Sequence, residues 1–182
     1  MEQTLRTLLR HTTPSSISKF LYRSLGVGTA TILIWENAFM FQASEGPSMY
    51  PTFSPRGDCL LVSKLHKYGR GIEVGDVVRF YHPHFLGANA AKRVVGLPGD
   101  YVCREEVLSE DVGGEGKMIR VPEGHVYVAG DNLPWSRDSR TYGPLPMGLI
   151  NGKVIARIWP PTKMKWVENT LKPVEEGTAV AQ

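Results

Sequence analysis

The sequence predicts a mainly β chain, an antiparallel barrel or coiled sheet, preceded by one apolar helix. Three observations carry that expectation. Short runs rich in valine, isoleucine and aromatic residues recur from Cys59 onward, Gly-Asp pairs punctuate them, and one apolar stretch from Leu25 to Ala43 has helical length. A chain of 182 residues, 42% of them hydrophobic, can bury one core and carry an appendage, which excludes a disordered or collagen-like protein.

Residues 1–23 read as a basic, targeting-like leader. Arg6, Arg10, Lys19 and Arg23 stand against a single acid, Glu2, with serine and threonine between them. Leu5, Leu8 and Leu9 share a face at helical spacing, and Pro14 limits that helix. A frayed basic terminus with no address has the same composition. Residues 24–43 read as a membrane-anchor helix, because LGVGTATILIWENAFMFQA is long enough to cross a hydrocarbon core of about 30 Å at about 1.5 Å per residue. Glu36 and Asn37 interrupt it, and an acid near mid-membrane costs roughly 2.5–3.5 kcal/mol. The basic residues before it and Trp35 at a position suited to an interface argue for the anchor; a soluble core helix is the alternative.

Residues 44–162 read as one β domain. Gly57-Asp58, Gly75-Asp76, Gly99-Asp100 and Gly130-Asp131 are turn signals, glycine supplying a positive φ and aspartate capping its own backbone. Between them lie the strand candidates CLLVSKL from Cys59, DVVRFY from Asp76, KRVVGL from Lys92, HVYVAG from His125 and KVIARIW from Lys153. With no long helical pattern between these runs, antiparallel pairing follows. The acidic, glycine-rich stretch from Arg104 to Arg120 reads as an exposed excursion, and residues 163–182 as a polar C-terminal tail.

Composition narrows the chemistry. A net charge of +3, from 21 basic and 18 acidic residues, is too small and dispersed to mark a nucleic-acid surface. Two cysteines, Cys59 and Cys103, exclude a disulfide framework and a four-thiolate zinc site, leaving one bridge or two free thiols. Cys59 sits in an apolar run and reads as an inert buried thiol. None of the five histidines lies in a catalytic motif, and His82-Pro83-His84 lacks the further ligands of a metal site, so no metal and no cofactor is expected. The S-x-x-K match at Ser16 to Lys19 lies in the leader without its companion motifs.

Three segments carry the chemistry. In Glu45-Gly46-Pro47-Ser48-Met49-Tyr50-Pro51, two prolines fix the direction of Ser48, Gly46 allows a substrate backbone to approach, and Met49 packs beneath. Alone, that serine reads as a residue bonding its own loop. In Ala91-Lys92-Arg93-Val94-Val95, Lys92 opens an apolar strand. If it points inward, desolvation disfavours its ammonium and makes it a general base; if outward, it is an ordinary surface lysine. Arg93 lies on the opposite pleat face, so at most one of the two is expected to face inward. In Gly130-Asp131-Asn132-Leu133-Pro134-Trp135-Ser136-Arg137-Asp138-Ser139-Arg140, the density of polar groups fits a tight loop stapled by Asp138 and Arg140.

Taken together and in order, these segments resemble the serine, lysine and GDN-x-x-x-S-x-D-S-R boxes of the type I signal peptidase family, and the run from Gly124 to Pro160 is similar to its mitochondrial inner-membrane members. The resemblance spans about two-thirds of the chain. It implies a signal-peptidase-like β-barrel or coiled-sheet catalytic domain behind a membrane anchor, and an endopeptidase in which Ser48 is nucleophile and Lys92 general base. It implies that Ser136 orients the lysine, that Asp138 and Arg140 form a supporting ion pair, and that Gly46, Pro47 and Met49 meet the substrate. Bacterial members usually carry a serine where Gly46 stands, so a side-chain oxyanion donor is missing here. The same resemblance implies an inner-membrane location facing the intermembrane space, precursor polypeptides with sorting or signal peptides as substrates, and a related second catalytic subunit in a heteromeric complex. Membrane is an expected partner and nucleic acid is not. Two other readings stand beside it: a non-catalytic adaptor of a membrane peptidase complex, and a self-cleaving Ser/Lys repressor-type domain, for which no DNA-binding helix pair is present.

Overall fold

The computed structural model describes residues 16–85, 87–104, 117–169 and 171. Expectations for residues 1–15, for most of the acidic excursion and for the last residues of the tail lie outside these. The chain divides into two units, residues 1–38 and residues 39–182.

The first unit is a helix, α1 (Ser16–Ala38). It begins inside the segment read as a leader and ends before the expected Ala43. Its apolar side chains from Phe20 to Trp35 are exposed on all sides. The polar side chains turn back on the helix: Thr29 and Thr31 Oγ1 donate to the carbonyls of Leu25 and Val27 at 2.9 and 2.8 Å, and Asn37 Nδ2 to Leu33 O at 2.8 Å. Among the described residues no helix is long and apolar enough to cross a membrane.

The second unit is a mainly antiparallel β fold. Its strands are β1 (Phe39–Ser44), β2 (Asp58–Ser63), β3 (Val77–Tyr81), β4 (Asn89–Gly96), β5 (Tyr101–Arg104), β6 (Lys117–Arg120), β7 (His125–Ala129), β8 (Leu145–Pro146), β9 (Ile150–Trp159) and β10 (Lys165–Trp166). Eight of them form one sheet in the order β1-β2-β9-β3-β4-β7-β8, with β10 beside β9, and β5 pairs with β6 separately. The sheet does not close into a barrel, so the coiled-sheet half of the expectation holds.

All five strand candidates form strands. β1 is the difference: residues 39–43, assigned to the anchor, alternate in burial as a strand does and pair with β2 from Phe39↔Ser63 to Ser44↔Asp58. Residues at the start of the expected tail also join the fold, Lys165 and Trp166 pairing with Arg157 and Ala156. The flanks of the acidic excursion pair with each other from Tyr101↔Arg120 to Arg104↔Lys117.

Two apolar clusters account for the burial of both faces of β3 from Val77 to Phe80. Val78 and Phe80 pack with Val94, Val126, Val128 and Ile150, whereas Val77 packs with Met49, Phe53, Leu60, Val62 and Val154. Alternate residues of one strand thus serve both clusters. The Gly-Asp turns follow the expected chemistry at three places. Gly57, Gly75 and Gly99 have φ of 85°, 96° and 92°, while Asp58, Asp76 and Asp100 accept from Ser54 N, Glu73 N and Leu97 N at 2.7, 3.0 and 2.8 Å. Gly130-Asp131 is built differently, as described below. Both thiols are free; Cys103 is exposed, and Cys59 is half-buried rather than buried.

Candidate active site

Ser48 lies in a 3-10 turn, Pro47–Met49, where proline occupies a position whose N–H would have no acceptor. Tyr50 N donates to Pro47 O at 3.1 Å and Phe53 N to Met49 O at 2.9 Å, closing the loop. Met49 is buried in the cluster with Phe53 and Leu60, which anchors the turn from below. Gly46 precedes it at φ 97°, ψ 155°, a region essentially restricted to glycine, and a Cβ there would meet open space. Backbone conformation therefore excludes an unstrained serine at this position, and the side from which a chain would approach is clear. As the second residue of the turn, Ser48 has an N–H without an acceptor inside it.

Lys92 is the fourth residue of β4, directly across from Val78, and only 4% exposed. Alternation puts it on the face of Ala90 and Val94, beside the first apolar cluster. Desolvation lowers its pKa from 10.5 to about 8; Asp138 and Asp131 oppose the shift and Arg140 adds to it. No carboxylate forms an ion pair with it among the described residues. With a pKa of about 8, roughly a tenth of the side chain is neutral at pH 7, against about one part in three thousand for an unperturbed lysine.

Arg93 is equally buried, contrary to the expectation that only one of the pair faces inward. Both faces of β4 are covered, and the guanidinium is fully engaged there. Its Nε and Nη2 reach Asp131 Oδ1 and Oδ2, each at 2.8 Å, and Nη1 donates to Gly75 O at 2.7 Å. Asp131 also accepts from Thr52 Oγ1. Burial would raise the Asp131 carboxyl, but the bonds from Arg93 and Thr52 outweigh it and hold the group below the usual carboxylate range.

The loop after β7 joins these parts. Asn132 N donates to Ser48 O and Asn132 Nδ2 to Pro47 O, both at 3.0 Å. A Cβ on Gly130 would stand 2.2 Å from Ser136 Oγ and 2.5 Å from Ser48 O. Close approach, rather than a positive φ, therefore requires glycine here. Asp138 is fully buried and accepts from Ser136 Oγ at 2.6 Å, Gly130 N at 2.9 Å, and Arg140 Nε and Nη2 at 2.9 and 3.0 Å. Desolvation raises its pKa, and these bonds more than reverse that, leaving the carboxylate below its ordinary value. The expected Asp138–Arg140 staple is thus present, and Arg140 Nη2 also holds Leu133 O at 2.8 Å. Ser136 spends its proton on Asp138 and keeps lone pairs for a donor such as a lysine.

A cavity of about 120 Å³ opens beside the turn, lined by Ser48, Gly46, Met49, Arg79, Ala90 and Ala91 among others. Lys92 is not among the lining residues, although its neighbour Ala91 is. Pro47 faces a separate shallow groove with Tyr50, Pro55, Asn132 and Trp135. β7 covers β4 only from Arg93 to Gly96, so among the described residues Asn89–Lys92 have β3 on one side and an open edge on the other. Among the described residues β1 ends the sheet and has a second open edge.

His82 is half-buried. Its ring packs against Phe85 and Tyr142, and its Nδ1 accepts from His84 N at 3.2 Å. Burial first, then His84, Lys92 and Arg137, push its pKa down. No group of side chains suited to a metal ion occurs among the described residues.

A family profile described as "Signal peptidase, peptidase S26" matches residues 17–111 and 106–159. The chain belongs to this signal peptidase family. It is 43% identical over 143 residues to "Mitochondrial inner membrane protease subunit 1" of Schizosaccharomyces pombe, covering 78% of this chain and 86% of that one. It is 39% identical over 160 residues to the protein of the same name in Saccharomyces cerevisiae, covering 76% and 83%. "Mitochondrial inner membrane protease subunit 2" of Danio rerio is 29% identical over 147 residues, covering 79% and 76%. In this signal peptidase chain, the sequence reading passed over the supports of the serine turn, Gly130 and Asn132, and the Arg93–Asp131 pair. An arginine beside the lysine, and a Gly-Asp pair leading into asparagine, were the available signals.

Proposed function

We propose that this chain is a membrane-attached serine endopeptidase that removes sorting or signal peptides from precursor proteins, with Ser48 as nucleophile and Lys92 as general base. The observation that carries the reading is the burial of an unpaired Lys92 in β4, with its pKa brought to about 8, in a fold whose β7 loop bonds directly to the carbonyl of Ser48. A base for this chemistry needs a neutral population near working pH, and desolvation supplies it.

In the proposed reaction, neutral Lys92 Nζ takes the Ser48 hydroxyl proton as Oγ attacks the scissile carbonyl carbon. The ammonium so formed returns that proton to the departing amine as the C–N bond breaks, leaving an ester on Ser48. Lys92 then takes a proton from water, whose oxygen attacks the ester, and Ser48 recovers its hydroxyl when the carboxyl product leaves. Ser48 N–H is the matched oxyanion donor; such a donor is worth about 2.7–4 kcal/mol. Ser136 positions the lysine, and Asp138 with Arg140 hold Ser136. Gly46 and Met49 border the cavity, with Pro47 fixing the turn, and an extended substrate would pair with the open edges of β4 and β1.

Membrane attachment through α1 is supported by its apolar side chains, exposed on all sides, and by polar groups that satisfy themselves on its own backbone. The relatives' names support a mitochondrial inner-membrane site and assembly with a related second catalytic subunit; we place the catalytic unit toward the intermembrane space. Ser48→Ala and Lys92→Ala should each abolish precursor cleavage while the folded chain accumulates normally, and a serine-acylating probe should label the wild type but not Ser48→Ala. Undiminished cleavage by either variant would refute the dyad.

A further inference from the structure

The segment that follows β2 breaks into two short turns over Lys64–Gly69. It reads Lys64-Leu65-His66-Lys67-Tyr68-Gly69-Arg70, three cations and a histidine with no acid before Glu73. Leu65 and Tyr68 are 63% and 58% exposed, and Lys67 and Arg70 are exposed beside them. Lys67 and Arg70 form no ion pair among the described residues. Neither Leu65 nor Tyr68 belongs to an apolar cluster, and neither lines the cavity or the groove beside the serine turn.

This display is built into the fold. Gly69 is buried, and a Cβ on it would collide with Met147 Cε, so the segment is seated directly on the turn that precedes β9. His66 Nδ1 donates to Arg70 O at 2.9 Å, and Arg70 N donates to Lys67 O at 3.3 Å. Inside that bracket Tyr68 takes φ 59°, ψ 25°, a left-handed conformation that no other non-glycine residue adopts among the described ones. A bulky side chain is found there only under constraint. Here the constraint holds a phenol ring out in solvent, which gains nothing in water. A leucine and a tyrosine pushed outward between cations suit a surface that is apolar within and anionic at its boundary.

Register shows where the segment lies. Ser63, the residue before it, pairs with Phe39. Phe39 directly follows Ala38, the last residue of α1. The display therefore stands at the end of β1 that is joined to the helix, with no linker between them.

We infer that Lys64–Arg70 is a second membrane contact, in which Leu65 and Tyr68 enter the interface while Lys67 and Arg70 meet the headgroups of anionic phospholipids. This rests on the reading of α1 as the membrane attachment. Each basic residue near an anionic bilayer strengthens binding about fivefold, and an apolar anchor combined with a basic patch holds more durably than either alone. Such a contact would keep the β unit close to the surface from which precursors emerge.

The test sediments the full chain carrying Ile32→Asp and Leu33→Asp, which removes the pull of α1, with phosphatidylcholine vesicles made with and without phosphatidylglycerol. Binding should be at least about tenfold tighter to the anionic vesicles and should weaken as salt rises. Adding Lys67→Gln and Arg70→Gln should lower that binding about twentyfold, and adding Leu65→Ser and Tyr68→Asn should lower it as well. Equal binding to both kinds of vesicle, or unchanged binding after folded Lys67→Gln and Arg70→Gln, overturns the inference. So does binding to a soluble polyanion such as heparin with none to the vesicles, which would point to an acidic protein partner. Should the double-aspartate chain fail to fold, amide hydrogen exchange on the wild type in nanodiscs of the same two compositions gives the answer: residues 64–70 should exchange more slowly in the anionic discs alone, and equal exchange overturns the inference. Failure of the α1 reading looks different, because wild type and the double-aspartate chain would then bind neutral vesicles equally.

Discussion

The backbone N–H of Asn132 donates to the carbonyl oxygen of Ser48 across 3.0 Å. Through that bond the loop after β7 fixes the serine turn, while β7 itself pairs with β4, the strand that carries Lys92. The proposed nucleophile and base are thus positioned by one element acting on both. Gly130 lies at the junction, where it approaches both Ser48 O and Ser136 Oγ.

Gly130→Ala should therefore damage catalysis as well as stability. Its Cβ has no room, and overpacking of this kind costs about 1–3 kcal/mol. Displacing the Ser48 turn by about 1 Å would lower kcat on the order of a hundredfold. Thermal melts and steady-state kinetics on the same preparation separate the two effects; wild-type kcat in the variant would contradict the shared-positioning account.

Activity should follow the deprotonation of Lys92. With its pKa at about 8, kcat/KM should rise close to tenfold per pH unit below pH 8 and level off above it. A profile flat between pH 6 and pH 9 would show that another group supplies the base.

Lys92 should also leave a mark on stability, with a definite sign. Its folded pKa is lowered, so between about pH 8 and pH 10.5 the unfolded chain binds more protons than the folded one, and stability rises with pH through that window. Below it the full cost of burying the ammonium is present. Lys92→Met should thus be more stable than wild type at pH 7, by on the order of 3 kcal/mol, with the gain shrinking toward pH 10.5. Denaturant titrations at pH 7 and pH 10 measure the difference; a gain that grows with pH contradicts the assignment.

Asp138→Asn should be costly in both respects. The change removes the charge that Arg140 faces, inside a fully buried network. Breaking one partner of such a pair costs about 3–5 kcal/mol, and Ser136 loses its fixed acceptor. In wild type the folded pKa of Asp138 is lowered, so its stabilisation is present above the ordinary carboxylate pKa and is lost as pH falls through the folded value. Asp138→Asn should accordingly flatten the acid limb of the stability curve, which chemical unfolding from pH 7 to pH 3 would reveal.

Membrane attachment can be tested on α1 alone. Replacing Ile32 and Leu33 with aspartate should move the chain from the pellet to the supernatant on alkaline carbonate extraction. Retention in the pellet would assign attachment to another surface.

Much of the β unit was legible because its strands announce themselves by valine-rich runs between turn residues. β1 was not, since Phe39-Met40-Phe41 continues the apolar run of α1 and only burial distinguishes a strand with a period of two from the end of a helix. At the site, Ser48, Lys92 and the Asp138–Arg140 pair could be named from order and character. Arg93 could not, because pleat alternation assumes one covered face and β4 has two.

β4 combines two duties in one short length of backbone. Asn89 to Ala91 form a rail on which an incoming polypeptide could zip, and the next residue is the amine that would move the proton. In the proposed reaction recruitment and proton transfer would then be mechanically inseparable: a shift of this backbone would alter grip and reactivity at once, so improved capture would not evolve there independently of turnover. Side chains around the rail, rather than the rail itself, are where the two can be tuned apart.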